Sequence, residues 1–169
     1  MVNGRGPETV HRADSPAGWS FVAEHIDEFL DQMEQGCGAK ARKAAERLIK
    51  EGEKLGMRVA TQKLLASKGA ALPFVVPGLA RWFDATPIVL FAKGRITWQF
   101  AELRRHDPFR SKEREDELRR RLAAFPSTKL AKKDWPDTSI EDLTTADGMK
   151  KFVETLSWVV DRIRGSNRS

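Results

Sequence analysis

The chain has 169 residues, 40% of them hydrophobic, and its five Trp and nine Phe can build the core of one ordinary domain. The 32% charged fraction carries both signs, which speaks against a disordered chain, and the net charge of +6 favours polyanionic partners without bearing on the fold. A single cysteine excludes an intrachain disulfide, no apolar run approaches the roughly 20 residues that span a bilayer, and the Gly-, Pro- and charge-rich N-terminus has no signal-peptide core, so a reducing, cytoplasmic setting is the expectation.

Residues 1–14 are polar and aperiodic and read as a flexible tail. Ser15 and Pro16 form a helix start, with Ser as N-cap and Pro at the first helical position. Trp19, Val22, Ile26, Phe29, Leu30 and Met33 follow at helical spacing, and Glu24, Asp27, Glu28, Asp31 and Glu34 cover the other face. Gly36, Cys37 and Gly38 break the pattern. A second helix is expected over 39–55, with Ala41, Ala45, Leu48, Ile49 and Leu55 inward, a basic outer face and Gly56 as its stop. An acidic helix joined to a basic one by a short loop predicts a helical hairpin with ion pairs across it.

Residues 57–62 alternate as a strand would, while 63–67 read equally as a helical turn, and Lys68 and Gly69 as loop. Residues 72–76 are apolar but hold Pro73, so at best an edge strand is expected there, followed by a turn at Pro77 and Gly78. The clearest β signal is a hairpin over 87–100. Its second run sets Ile96, Trp98 and Phe100 against Thr97 and Gln99, with Lys93 and Gly94 in the turn. Ser111 then caps a charged helix reaching about Phe125, with Leu118, Leu122 and Phe125 inward. Glu115 with Arg119, Asp116 with Arg120 and Glu117 with Arg121 stand four apart in the favourable order. Residues 127–142 read as a polar link. Met149, Phe152, Val153, Leu156, Val159, Val160 and Ile163 mark a last amphipathic helix, and 166–169 a loose tail. The expectation is one α+β domain over 15–165: a small, mainly antiparallel sheet of three or four strands, packed by two N-terminal and two C-terminal amphipathic helices.

No segment carries a specific catalytic signature, so whether the chain is an enzyme stays open. His11, His25 and His106 have no second His or Cys at ligand spacing, and no metal or other cofactor is expected. There is no strained serine elbow and no phosphate loop. Cys37, between two glycines at a hairpin tip, reads as an incidental thiol that its exposure could make reactive. Asp84 and Glu102 flank the hairpin and are the nearest candidates for a metal-dependent nuclease, but no carboxylate–x–lysine ending follows Glu102, and two solvated strand-end carboxylates are the preferred reading.

Charge is the remaining signal. Residues 1–85 carry 12 Lys and Arg against 11 Asp and Glu, whereas 86–169 carry 18 against 13. Arg104, Arg105 and Arg110 bracket the end of the hairpin region, Lys129, Lys132 and Lys133 lie beyond the charged helix, and Trp135 stands beside them as a side chain able to stack on a base. The second half, from Gly94–Leu103 through Pro108, Phe109, the Arg-rich helix and Thr138–Leu143 to the final helix, resembles a bacterial module found in stand-alone proteins and at the ends of DNA-modification or restriction-linked proteins. The resemblance implies an α+β domain in a DNA-related setting and carries over no functional residue. Residues 72–82 depart from the Gly- and Ser-rich strand of that module.

The leading expectation is a non-catalytic nucleic-acid-binding or accessory domain with Arg104, Arg105, Arg110, Lys129, Lys132 and Lys133 on phosphates. The alternatives are a protein-interaction module or homodimer docking through the acidic helix over 16–35, and a nuclease built on dispersed carboxylates.

Overall fold

The computed structural model describes residues 16–59, 62 and 63, 70–77, 84–131 and 134–166, with side chains of the first helix from Ile26 onward. The expected N-cap at Ser15, the tails at 1–14 and 167–169, the inward Trp19 and Val22, the alternatives for 64–69 and the turn at Gly78 lie outside the described residues. So do His11 and the side chain of His25.

Helix α1 (Pro16–Cys37) and helix α2 (Ala39–Lys54) form the hairpin their charge pattern predicts. The break is narrower than expected: Cys37 is still helical, and Gly38 alone turns the chain, with φ +92°. Arg42 of α2 reaches back to Asp31 and Glu34 of α1 and also holds Glu46, which sets the register of the pair. Three carboxylates hydrogen-bonded to it raise the Arg42 pKa further above its ordinary value.

Six short strands follow: β1 (Arg58–Val59), β2 (Gln62–Lys63), β3 (Ala70–Val76), β4 (Ala85–Phe91), β5 (Arg95–Trp98) and β6 (Asp137–Ser139). They form one sheet in the order β1-β3-β4-β5-β6, with β2 also on β3, and every pairing is antiparallel. The sheet is thus larger than the three or four strands expected. The stretch around Pro73 is no edge: β3 lies between β1 and β2 on one side and β4 on the other. The ladder explains why proline is tolerated. Ala92 donates its amide to Ala70 O at 3.1 Å. Hydrogen-bonded pairs alternate from there, so Pro73 opposite Val89 falls at a position where β4 needs no N–H from it, and on the other side of β3 the β1 and β2 registers fall at Phe74–Val75 and Ala70–Ala71, not at Pro73. Pro87 has a comparable explanation. The β3–β4 register shifts between Phe74 and Val76, which leaves the extra residue on β4 at Thr86–Pro87, a bulge where proline is admitted.

The hairpin turns at Ala92–Gly94, where Gly94 has φ +83°. Its second strand ends earlier than the alternation suggests. Phe100 opens a short helix α3 (Phe100–Leu103), because the Phe100 and Ala101 amides both turn to Asp134 O rather than to a strand partner. Strand β6 lies inside the stretch read as a polar link. Two of its three residues, Asp137 and Thr138, are buried, and Thr97 Oγ1 donates to Asp137 at 2.8 Å. Helix α4 (Lys112–Leu122) is capped as expected, the Ser111 hydroxyl accepting from Arg114 N. A 3-10 turn (Ile140–Leu143) leads to helix α5 (Ala146–Ser166).

Cross-strand pairing puts Leu72, Leu90, Ile96 and Thr138 in one row and Phe74, Ile88 and Trp98 in the next. These rows share one buried cluster with Phe29 and Met33 of α1, Leu48 and Ile49 of α2, and Phe152, Leu156, Val159 and Ile163 of α5. Trp98, fully buried, meets the Phe152 ring at 5.2 Å, and Phe125 meets the same ring at 5.7 Å. Trp98 is therefore core, as its stripe predicts, and truncating it would cost about 3–5 kcal/mol.

The first turn of α5 approaches the 3-10 turn so closely that a Cβ on Gly148 would overlap the Asp142 carbonyl oxygen and lie 2.9 Å from Thr145 Oγ1. Backbone cannot yield there as a flexible side chain would. Gly148→Ala should destabilise the fold by about 1–3 kcal/mol despite alanine's better helix propensity. Urea unfolding measures this; an unchanged or raised midpoint would contradict the close packing.

Candidate nucleic-acid interface

Of the expected cations, Arg104, the residue that ends α3, makes the most contacts within the chain. Its Nε and Nη2 donate to the two oxygens of Glu115 on α4, at 2.8 and 2.9 Å, and Nη1 donates to the Asp134 carboxylate. The planar guanidinium matches a carboxylate with two parallel bonds, a geometry lysine cannot copy. Arg119, one turn along α4, adds a second cation to Glu115 at 3.0 Å, donates to Leu130 O at 3.2 Å, and lies with its guanidinium 4.6 Å from the centre of the Phe100 ring. Four side chains thereby join α3, α4 and the chain that enters β6. Hydrogen bonds from Arg104, with those from Arg119, hold the Glu115 carboxyl below its ordinary pKa against the opposing effect of burial. The same contacts raise the Arg104 guanidinium.

The backbone on either side of Trp135 is fixed as well. Asp134 O accepts from the Phe100 amide at 3.0 Å and the Ala101 amide at 3.4 Å, and Pro136 O accepts from the Trp98 amide at 2.9 Å. Trp135 stands between these anchors with 53% of its surface exposed, the one large hydrophobic residue so exposed among those described. Lys129 is tied nearby through its amide to Asp137 O at 3.0 Å, its own side chain outward.

Arg105 and Arg110 share the turn between α3 and α4, which passes through a cis Asp107–Pro108 peptide. Arg110 Nη2 donates to Arg105 O at 3.2 Å. Arg105 is 75% exposed and 3.6 Å from Glu102; Arg110 is 66% exposed and 3.8 Å from Asp107. These separations exceed hydrogen-bond length, and such exposed pairs contribute only about 0–1 kcal/mol. Both guanidiniums can therefore exchange a carboxylate for a phosphate at small cost. Arg104 differs from the expectation, since Glu115 and Asp134 occupy its donors. Lys132 and Lys133 lie outside the described residues.

Of the helix pairs read from spacing, Glu115–Arg119 and Glu117–Arg121 form at 3.0 and 3.2 Å. Burial pulls the Glu117 pKa up, but Arg121 and Arg114 outweigh it and leave the carboxyl below its ordinary value. Asp116 and Arg120, expected to pair from their spacing, make no ion pair with each other, and both are exposed. The bidentate Arg104–Glu115 pair was missed because the residues are 11 apart, beyond any helical spacing.

The other candidates are not drawn into a site. Arg58 holds Asp84 at 3.1 Å, and Glu102 lies 3.6 and 3.7 Å from Arg105 and His106. Among the described residues, no three His, Cys, Asp or Glu gather as a metal would require. Cys37 is half-buried rather than at an open tip, its Sγ 3.9 Å from Ala92 O and close against Gly94. On the acidic helix, Asp31 and Glu34 are engaged by Arg42 within the chain. No helix among the described residues is long and apolar enough to cross a membrane. No protein-family model, curated protein or solved structure matches the chain.

Glu115→Gln should lower stability at neutral pH by about 1–2 kcal/mol through loss of its charge-assisted bonds. The folded carboxyl titrates below its ordinary value, so the wild-type advantage is complete above the ordinary carboxylate range and fades as pH falls through the folded pKa. Urea unfolding across pH should show the two proteins converging in acid; a gap that stays constant there would contradict the assignment.

Proposed function

We propose that this chain is a non-catalytic nucleic-acid-binding domain, acting alone or as an accessory within a nucleic-acid complex. The observation that carries the reading is the pair of exposed, loosely held arginines, Arg105 and Arg110, on a turn fixed by the Arg104 contacts. Glu115 and Asp134, the acids that would otherwise repel a polyanion there, are occupied by Arg104. Arg105, Arg110, Lys129, Lys132 and Lys133 meet phosphates. Arg104, expected among them from the sequence, is a positioning residue that orders the surface. The surplus of 18 cations over 13 acids in residues 86–169 supplies the long-range attraction.

Binding that displaces counterions must weaken as salt rises, with a logarithmic slope of about −0.7 to −0.9 for each phosphate neutralised. Anisotropy of labelled oligonucleotides titrated at several salt concentrations tests this. Arg105→Ala and Arg110→Ala should each weaken binding and reduce the slope by about 1. Binding indifferent to salt, or variants that leave the slope unchanged, would count against the reading. Absence of binding at low salt would favour a protein partner instead.

A further inference from the structure

We propose that Trp135 is a base-stacking platform, so that the ligand of this face is a single-stranded nucleic acid; the inference rests on the nucleic-acid reading above. Trp135 presents an indole half out of the protein, an amphipathic ring with one face open to a ligand. Its backbone is held on both sides, by Asp134 O with two amides and by Pro136 O with a third, and the following proline restricts Trp135 to extended conformations. The backbone that carries the indole is thus ordered before any ligand arrives, which lowers the conformational cost of binding.

Described cations are tied to the chain on either side of it: Lys129, exposed, is anchored through Asp137, and Arg105 adjoins the Arg104 that grips Asp134. In the sequence, Lys132 and Lys133 precede Trp135 by three and two positions. An aromatic face flanked by cations is the combination that single strands require, with stacking for the base and charge for the phosphates. A duplex keeps its bases stacked on one another and offers the indole no free face without unstacking. A protein partner would need an apolar surround to exclude water from the indole, and no other large hydrophobic residue among those described is exposed.

The test compares the full chain with Trp135→Ala, Trp135→Phe and the double variant Arg105→Ala/Arg110→Ala. The probes are a labelled 12-nucleotide oligothymidine and a duplex of equal length, both at low salt. The single strand should bind more tightly than the duplex. Trp135→Ala should weaken single-strand binding about tenfold or more with little effect on the duplex, and Trp135→Phe should restore most of the loss. The arginine double variant should weaken both ligands. If Trp135→Ala binds the single strand as the wild type does while the arginine variant weakens it, stacking is overturned and the polyanion reading survives. If neither ligand binds at low salt, both fail together.

Discussion

One guanidinium holds three separate stretches of this chain at a single place. Arg104 closes α3, its bidentate bond fixes α4 through Glu115, and its remaining arm fixes the approach to β6 through Asp134. An arginine can do this because its charge is permanent and its donors form a rigid fork. The pair is only partly buried, so attraction is retained without the full desolvation cost of an interior ion pair. The turn with Arg105 and Arg110 and the exposed Trp135 are both immediate neighbours of this contact. Their relative placement follows from it.

Beneath that surface the arrangement is carried by apolar packing. Trp98 and Phe152 join the sheet to α5, and Phe125 brings the end of the α4 region onto the same ring. Phe109, in the turn that bears Arg110, packs edge-on against Trp158 of α5 at 5.7 Å. The cationic turn is therefore seated on the core and is not a free loop. This division suits a binding surface: rigid apolar residues set the backbone, and long polar side chains reach from it.

The helices were legible because their apolar stripes recur at 3.6 residues and their ends carry recognisable caps, as at Pro16, Gly56 and Ser111. The central hairpin was legible from period-two alternation. What escaped depended on partners far away in the sequence. Strand β6 buries a carboxylate and a hydroxyl instead of a hydrophobic row, so its identity comes from Thr97 and the β5 ladder. Proline hid the interior place of β3, and only the ladder's alternation shows that Pro73 removes no bond to β4. Phe100 fits the buried stripe equally well as strand or helix, and Asp134 O decides between them. The surplus of cations was visible as composition, but the different engagement of Arg104 and Arg105 was not. Adjacent arginines look alike until Glu115, 11 residues on, claims the first.

The central claim is that the face around Arg105, Arg110, Lys129 and Trp135 is where a nucleic acid sits. The most direct measurement is a two-dimensional amide spectrum of isotopically labelled protein, titrated with an unlabelled oligothymidine. The account predicts concentrated shifts in residues 104–110 and 127–137, with the Trp135 indole N–H moving and that of the buried Trp98 still. Shifts confined to the acidic α1, or an unperturbed Trp135 indole when the oligonucleotide is bound, would contradict it.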